Sequence, residues 1–402
     1  MKRIVIVDHF SQTPDEVGNN RFLYLAQLLC NRGNRVEIIT TDFSHKAKKT
    51  RQTDPTVLTS LPYKYTMLPE PGYPKNVCLK RFSSHSSFGS QVKKYMASME
   101  KPDLVYAATP SLDAAGAAAA YCKKNNIPFI VDIQDLWPEA FKLVFHIPVV
   151  SDLIFAPMTA ASNRIYKQAD RIVAVSQTYK QRGLRNCKKD SQGLCVYLGT
   201  DLAVLDAQAA AYPVEKPEGE LWVAYAGTLG HSYNIEIILD ALNLLPEELA
   251  SRLVFKVLGD GPLMKRFQEY AKDCKVKVEF LGRLEYAKMG AYLKQADIAV
   301  NPIAKGAAQS IINKHADYAA AGLPVVSTQE CPEYRELLET YGCGINCPPQ
   351  DAQAVADALA SLLKDPQLRK DMGQKSRRMA QERFDRKHTY DQIVAEIEGL
   401  TR

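Results

Sequence analysis

The chain predicts an α/β protein built from two doubly wound parallel sheets, and three observations carry that prediction. Short β-branched runs alternate with helical patterns along the chain. The pattern pauses in a polar, proline-containing stretch at Ala211 to Glu220 and then restarts. The length of 402 residues suits two domains at roughly 100 to 200 residues each.

Each element has a local reason. Arg3 to Val7 is a β-branched run that reads as a buried first strand. A loop containing Gly18 leads to a helix from about Arg21 to Asn31, whose Leu23, Leu25, Leu28 and Leu29 fall on one side. Gly33 ends it, and Arg35 to Thr40 completes a βαβ unit. Further strands fit Leu104 to Ala107, Pro128 to Asp132, Arg171 to Val175 and Cys195 to Leu198, with an alanine-rich helix at Leu112 to Lys124. After the restart come strand Trp222 to Ala226, a glycine loop at 227–230 and a helix from about Ile235 to Leu245. Strand Val254 to Leu258 ends in Gly259-Asp260-Gly261-Pro262, and helix Leu263 to Ala271 precedes strand Val276 to Phe280 with Gly282-Arg283 after it. Strand Ile298 to Asn301, helix Asn313 to Ala321 and strand Pro324 to Thr328 complete the second sheet. From Asp351 the chain reads as helical, with Phe384 near the start of a last helix.

Composition excludes several classes. With 46% apolar and 24% charged residues, the chain is neither disordered nor collagen-like nor a coiled coil. Nine cysteines show no Cys-x-x-Cys pair and no zinc-ligand spacing, which suits reduced thiols in a cytosolic protein. The four-residue apolar run before Asp8 is too short for a signal peptide. The most apolar long window, Phe141 to Ala161, contains Lys142, His146, Asp152 and two prolines and fails as a spanning helix, although it suits a membrane surface. The net charge of +6 conceals a division: residues 1–200 hold 27 basic and 16 acidic side chains, or +11, and residues 201–402 hold 24 and 29, or −5.

Ligands of open parallel sheets bind beyond the carboxyl ends of the strands, where helix N-termini offer free N–H groups to anions. Gly227 to Gly230, Gly259 to Gly261 and Gly282 each follow a strand, so the second half carries a nucleotide-sized site or a set of turns that need positive φ. The dinucleotide fingerprint is missing after the first strand, where Asp8-His9-Phe10-Ser11 stands without a glycine until Gly18. A nicotinamide or flavin enzyme is disfavoured, and so is P-loop phosphotransfer, because no Gly-x-x-x-x-Gly-Lys-[Ser/Thr] occurs. No Asp-x-Asp occurs to hold a metal on a substrate diphosphate, so no metal and no separate cofactor are expected. Diphosphate charge then falls to amides, a helix dipole and a cation, and Lys314 at the start of the Asn313 helix is placed to be that cation.

The stretches VAYAGTLG (223–230), VLGDGPL (257–263), FLGR (280–283), ADIAVN (296–301) and NKHADYAAAGLPVV (313–326), with Gly342-Cys343-Gly344 and Pro348 to Asp351, resemble in order and spacing a two-domain GT-B glycosyltransferase of family 4. These are the retaining bacterial enzymes that build capsule, O-antigen and exopolysaccharide. DIQDLWPE (132–139) and ADRIVAVS (169–176) are similar to a subgroup acting on lipid-linked acceptors. The resemblance implies two Rossmann-like domains facing a central cleft. Residues 1–200 would bind acceptor, with the last helix, about 385–402, packing back on them, and 201–384 would bind a nucleotide sugar, most often UDP-linked. The loop Gly227, Thr228, Leu229 and Gly230 would meet the diphosphate through its amides, with Lys314 beside it and His231 and Ser232 following. The main chain at Arg283 and Leu284, near Gly259 and Gly261, would hold the nucleobase, and the loop Lys305 to Ser310 the hexose. Asp317 stands where the family has the second Glu of its E-x7-E motif, the ribose carboxylate, and Gln309 where it has the first. Asp keeps the charge with a shorter reach; Gln keeps hydrogen bonding without the charge.

On the acceptor side, Asp135 is the choice for a carboxylate near the reacting hydroxyl, the alternative being a helix N-cap. Gly18, Asn19, Asn20 and Arg21 resemble the loop facing the cleft, where Arg21 either contacts phosphate or simply begins its helix. The resemblance implies that the leaving diphosphate takes the acceptor proton on the same face, without an enzyme nucleophile. Two basic clusters, Lys46, Lys48, Lys49 and Arg51 and then Lys80, Arg81, Lys93 and Lys94, suit anionic lipid at the inner face of the cytoplasmic membrane. No aromatic-interleaved motif accompanies them, so no nucleic-acid partner is expected. A non-hydrolysing sugar-nucleotide epimerase and an inert carbohydrate-binding partner are the rival functions.

Overall fold

The computed structural model describes all residues except 17–20, 77, 145–149, 188–191, 308–309 and 402. The chain divides into two compact units, Met1–Tyr197 with Tyr390–Arg402, and Leu198–Thr389. Gly18, Asn19, Asn20 and Gln309 lie outside the described residues.

The first unit holds a seven-stranded parallel sheet of β1 (Arg3–Val7), β2 (Arg35–Thr41), β3 (Lys64–Leu68), β4 (Leu104–Thr109), β5 (Phe129–Ile133), β6 (Arg171–Ala174) and β7 (Gln192–Cys195), in the order β3-β2-β1-β4-β5-β6-β7. The second holds β8 (Leu221–Ala226), β9 (Leu253–Leu258), β10 (Lys277–Gly282), β11 (Ile298–Asn301), β12 (Val325–Ser327) and β13 (Gly344–Asn346), in the order β10-β9-β8-β11-β12-β13. Both sheets are doubly wound, with the order reversing beside the first strand of each. That strand is central: β1 pairs with β2 and β4, and β8 with β9 and β11. Ile4, Val5, Ile6 and Val7 are all buried, as a strand covered on both faces requires. Each such side chain contributes roughly 1.5–3 kcal/mol.

Among the elements that depart from the sequence reading, β13 adds a sixth strand to a second sheet expected to end at Thr328, and three others have a clear local reason. β3 was not foreseen because it is a half-exposed edge whose Lys64, Tyr65, Thr66 and Met67 leave no apolar run. The strand expected at Cys195–Leu198 pairs instead over Gln192–Cys195. A helix of 20 residues, Leu79–Ser98, was missed because its buried stripe includes Ser84, His85 and Gly89, which blur the apolar period. Phe384 closes a wide helical turn at Ala380–Phe384, and the last helix is Asp391–Leu400, whose Ile393, Val394 and Ile397 pack in the first unit's core. No disulfide joins any of the nine cysteines, all of which are among the described residues.

Arg21 does not serve the acceptor side through phosphate. Its side chain is 2% exposed and its Nε donates to Asp132 Oδ2 at 2.8 Å. Nη1 donates to the carbonyls of Val196 and Tyr197 and to the Tyr390 hydroxyl at 3.1–3.2 Å. Tyr106 donates to the same Asp132 oxygen at 2.7 Å. The guanidinium therefore fastens its helix to β5, to the segment after β7 and to the start of the C-terminal segment. Removing one partner leaves a buried charge alone, so Asp132→Asn should lower unfolding free energy by about 3–5 kcal/mol in urea titrations, whereas Asp391→Asn, on an exposed pair with Arg32, should change it by less than ~1 kcal/mol.

Candidate functional site

The best-built site lies in the second unit, at the carboxyl ends of β8 and β11, where the strand order reverses. The loop 227–230 follows β8, and the Asn313–Ala321 helix follows β11. Tyr318 fixes that helix against both strand ends: its hydroxyl accepts from the Ala226 N–H at 2.8 Å and lies 3.2 Å from the Val300 carbonyl. His315 stacks on Tyr334 with ring centroids 3.5 Å apart and accepts from the Ile312 N–H at 3.3 Å, setting the first turn.

Lys314 is the centre of this arrangement. It is 7% exposed, and its Nζ lies 4.1 Å from the Tyr225 ring and 3.9 Å from the Tyr233 ring. No hydrogen-bond acceptor among the described residues meets that nitrogen, and the same holds for the buried Ser310 Oγ. Desolvation pushes the lysine well below its ordinary pKa, only partly opposed by the Asp317 charge. A buried donor without an acceptor is costly, so the site is shaped for an incoming anion.

Glycines let the loops close around it. A Cβ on Gly227 would stand 2.8 Å from Lys314 Nζ, and one on Gly259, at φ +152°, would lie 1.7 Å from the Gly227 carbonyl oxygen. Within the loop, the Gly227 N–H donates to the Leu258 carbonyl and the Leu229 N–H to the Asp260 carbonyl. The expectation that all four amides face diphosphate is therefore corrected. Gly227 and Leu229 spend theirs on β9 and its loop, and the Leu229 side chain is core. The Thr228, Gly230 and His231 amides make no such backbone bond among the described residues, and Thr228 and His231 are exposed. Gly259 donates to the Gly282 carbonyl at 2.8 Å, which joins the Gly259–Gly261 turn to the segment bearing Arg283 and Leu284. Asp317 is partly buried, accepts from the Tyr286 hydroxyl at 2.7 Å and is raised to about 6, chiefly by desolvation. Thr200 lies 2.8 Å from the same tyrosine oxygen. Tyr225, Tyr233 and Tyr286 were missed in the sequence, although Tyr225 lies inside the quoted VAYAGTLG.

Comparison with known families decides the class. The profile described as Glycosyl transferases group 1 matches residues 208–379, and that described as Glycosyltransferase Family 4 matches residues 18–203. The chain belongs to glycosyltransferase family 4. It is 23% identical to an uncharacterized glycosyltransferase of Methanocaldococcus jannaschii, over 59% of this chain and 60% of that protein. It is 24% identical, over 45% of this chain and 50% of that protein, to the Campylobacter jejuni α-1,4-N-acetyl-D-galactosaminyltransferase named for a diNAcBac-PP-undecaprenol-linked GalNAc disaccharide. The alignments thus span only about half to three fifths of these relatives. The solved Anabaena HepE in complex with UDP and glucose matches 99% of this chain and 100% of that one, at TM-score 0.68 and 16% identity, a likeness of fold. The chain accordingly has two parallel-sheet α/β units of GT-B type.

In this glycosyltransferase the first unit places Asp135 just beyond β5. Asp135 is not an N-cap: the next helix, Glu139–Val144, begins four residues later, and the carboxylate accepts from the Leu136 N–H at 2.9 Å and the Tyr179 hydroxyl at 3.4 Å. Desolvation raises its pKa. Glu139 pairs with Arg182. The fold also gathers buried His9, Glu70 and His85, a group the sequence did not announce. Their donor atoms are already engaged: Glu70 accepts from Ser84 and pairs with His9 Nε2, His9 Nδ1 meets Ser111, and Arg81 donates to His85 Nε2. A cavity of 450 Å³ lined by Asp297, Pro324, Arg369 and Arg377 opens at the amino ends of β11 and β12, away from the glycine loops.

Two outcomes follow from these contacts. Gly259→Ala should lose about 2–4 kcal/mol of unfolding free energy, whereas Gly230→Ala, where a Cβ meets nothing closer than Thr228 Cγ2 at 3.6 Å, should stay within ~1 kcal/mol, both read by urea unfolding. Because an anion at Nζ would raise a lysine that burial has lowered, binding of a nucleoside diphosphate should take up protons from buffer over the pH range between the lowered value of the free chain and the raised value of the complex. Calorimetry in buffers of different ionisation enthalpy should show that uptake in the natural chain and not in Lys314→Met, whose melting temperature should be equal or higher.

Proposed function

We propose that this glycosyltransferase moves a sugar, with retention, from a UDP-linked nucleotide sugar to a lipid-linked saccharide in surface polysaccharide biosynthesis. The observation that carries the reading is the unpartnered Lys314 ammonium held between two tyrosines at a helix N-terminus beside an uncluttered glycine loop. The HepE complex with UDP and the lipid-linked substrate in the Campylobacter enzyme's name support the donor and acceptor classes. In the reaction, the acceptor oxygen bonds to the anomeric carbon as the bond from that carbon to the β-phosphate oxygen breaks. The acceptor proton passes to the departing diphosphate on the same face. Lys314 and the Thr228 and Gly230 amides then stabilise charge that grows during the step. Asp317 would accept from the ribose with the oxygen that Tyr286 leaves open, and Asp135 would orient the attacking hydroxyl. Diphosphate charge is met here by the protein, so activity is proposed to survive chelation of divalent ions.

Membrane proximity fits one surface of the first unit. Leu79, Leu153 and Ile154 are 85%, 79% and 63% exposed, beside the Phe82, Phe141 and Phe155 rings, whose successive centroids lie 5.8 Å apart. The basic complement is smaller than the sequence suggested, since Arg51 is buried against Glu16 and Arg81 stacks inward on Trp137. No helix among the described residues is long and apolar enough to cross a membrane. A peripheral position on the cytoplasmic leaflet is the proposed location.

The test is transfer from a panel of nucleotide sugars to a polyprenyl-diphosphate sugar, with products identified by mass and anomeric configuration. Lys314→Met should lower kcat at least 100-fold, because the cation acts on developing charge. Release of an epimerised nucleotide sugar without acceptor would replace this reading with the epimerase, and absence of any turnover with every donor would leave a binding partner.

A further inference from the structure

The first unit holds a second cationic group that the reaction above does not use. Arg81 lies in the first turn of the Leu79–Ser98 helix, whose N-cap residue, Cys78, makes no capping bond and whose first turn has no acidic residue. Its guanidinium packs over Trp137 at 4.7 Å and Tyr73 at 5.6 Å and donates to the Asn76 carbonyl at 2.9 Å and to His85 Nε2 at 3.4 Å. Lys48 Nζ lies 4.7 Å from the same Tyr73 ring, donates to Asn76 Oδ1 and stands 3.4 Å from His45 Nδ1. Asn76 and Tyr73 therefore hold two long cations together on a buried aromatic floor.

These charges oppose one another. Among the described residues, no carboxylate lies within ion-pair distance of Lys48 or Arg81. Glu70 is committed to His9 and Ser84. Asp135 feels the Arg81 charge without pairing with it. Burial lowers both cations, with mutual repulsion adding to it for Lys48, and His45 is pushed down to about 4 by burial and then by its two cationic neighbours. Two cations kept close without a counter-ion among the described residues, at the positive end of a helix of five turns or more, form a receptor for a multiply charged anion. Both side chains remain partly exposed, so an anion can reach them.

We infer that Lys48, Arg81 and the first turn of the Leu79–Ser98 helix bind a phosphoryl group, and that the group is the diphosphate joining the acceptor saccharide to its lipid carrier. Naming the acceptor rests on the transferase reading; the phosphoryl chemistry does not. The aromatic floor suits this ligand, since Trp137 and Tyr73 offer apolar surface beside the charge for the first carbons of a polyprenyl chain.

The probe is farnesyl diphosphate, titrated calorimetrically into the Lys314→Met chain so that the glycine-loop site is silent, with inorganic pyrophosphate in a second arm. Arg81→Met and Lys48→Met should each weaken farnesyl diphosphate at least tenfold and, in the otherwise natural chain with Lys314 intact, raise KM for the lipid-linked acceptor while leaving KM for the donor unchanged. Equal affinity in both variants, or no binding before substitution, overturns the site. If Arg81→Met does not fold, Arg81→Lys and the rim variant Lys48→Met carry the same comparison. Flotation with phosphatidylglycerol vesicles is the third arm: loss of flotation in the variants with farnesyl diphosphate binding intact would make the cluster a headgroup reader and overturn the acceptor assignment. UDP binding to the natural chain separates the two failures. UDP bound without farnesyl diphosphate sinks this site alone; farnesyl diphosphate bound through Arg81 without any sugar transfer sinks the transferase reading alone.

Discussion

An ammonium group without a partner is the constraint on which the second unit's site depends. Lys314 Nζ is buried between the rings of Tyr225 and Tyr233 and pressed against a residue with no side chain. Cation–π contact offsets part of the desolvation and leaves the hydrogen-bonding capacity unspent. That capacity faces the end of β8, where a helix dipole of the same sign adds to it. Gly227 and Gly259 are required by this packing: any Cβ there would displace the lysine or the neighbouring carbonyl. The tyrosine pair, the glycine turns and the helix start are thus one device, and it lies at the switch point because only there do loops from two adjacent strands diverge to admit a ligand.

The first unit solves a related problem in the opposite way. Arg21 is equally buried, yet its charge is answered by Asp132, two carbonyls and the Tyr390 hydroxyl. A cation whose charge is met by a carboxylate in this way holds elements together, even with its Nη2 unbonded among the described residues, and a cation with no counter-ion is available to a ligand. By the same criterion Arg81 and Lys48 differ from Arg51, which has Glu16 and two backbone carbonyls as partners. Counting basic residues along the first half could not separate these cases, since the sign and number of charges are properties of composition while the counter-ion is a property of packing.

Legibility in the sequence followed burial. Central strands such as β1, β8 and β11 were visible because strands covered on both faces are continuous apolar runs. The edge strand β3 and the Leu79–Ser98 helix were not, because Lys64, Ser84, His85 and Gly89 occupy positions where the period would need apolar residues. Lys314 and the glycine turns were legible from strand-end spacing, but the two amides that the 227–230 loop spends on β9 and its loop were not. Asp135 was identified with its alternative, and the alternative failed once the following helix proved to start at Glu139.

Sequence alone determined the class of the chain: two wound parallel sheets, a glycosyltransferase of family 4, glycines at strand ends and a lysine at one helix start. Those features are local, since strand period, turn chemistry and motif spacing are written in neighbouring residues. Tertiary structure decided which polar groups are spent and which are free. Arg21 turned inward to a carboxylate 111 residues away, Lys314 was left between two aromatic rings, and Tyr286 took one oxygen of Asp317. The free energy of a buried charge depends on the partners that packing brings to it, and those partners come from distant parts of the chain.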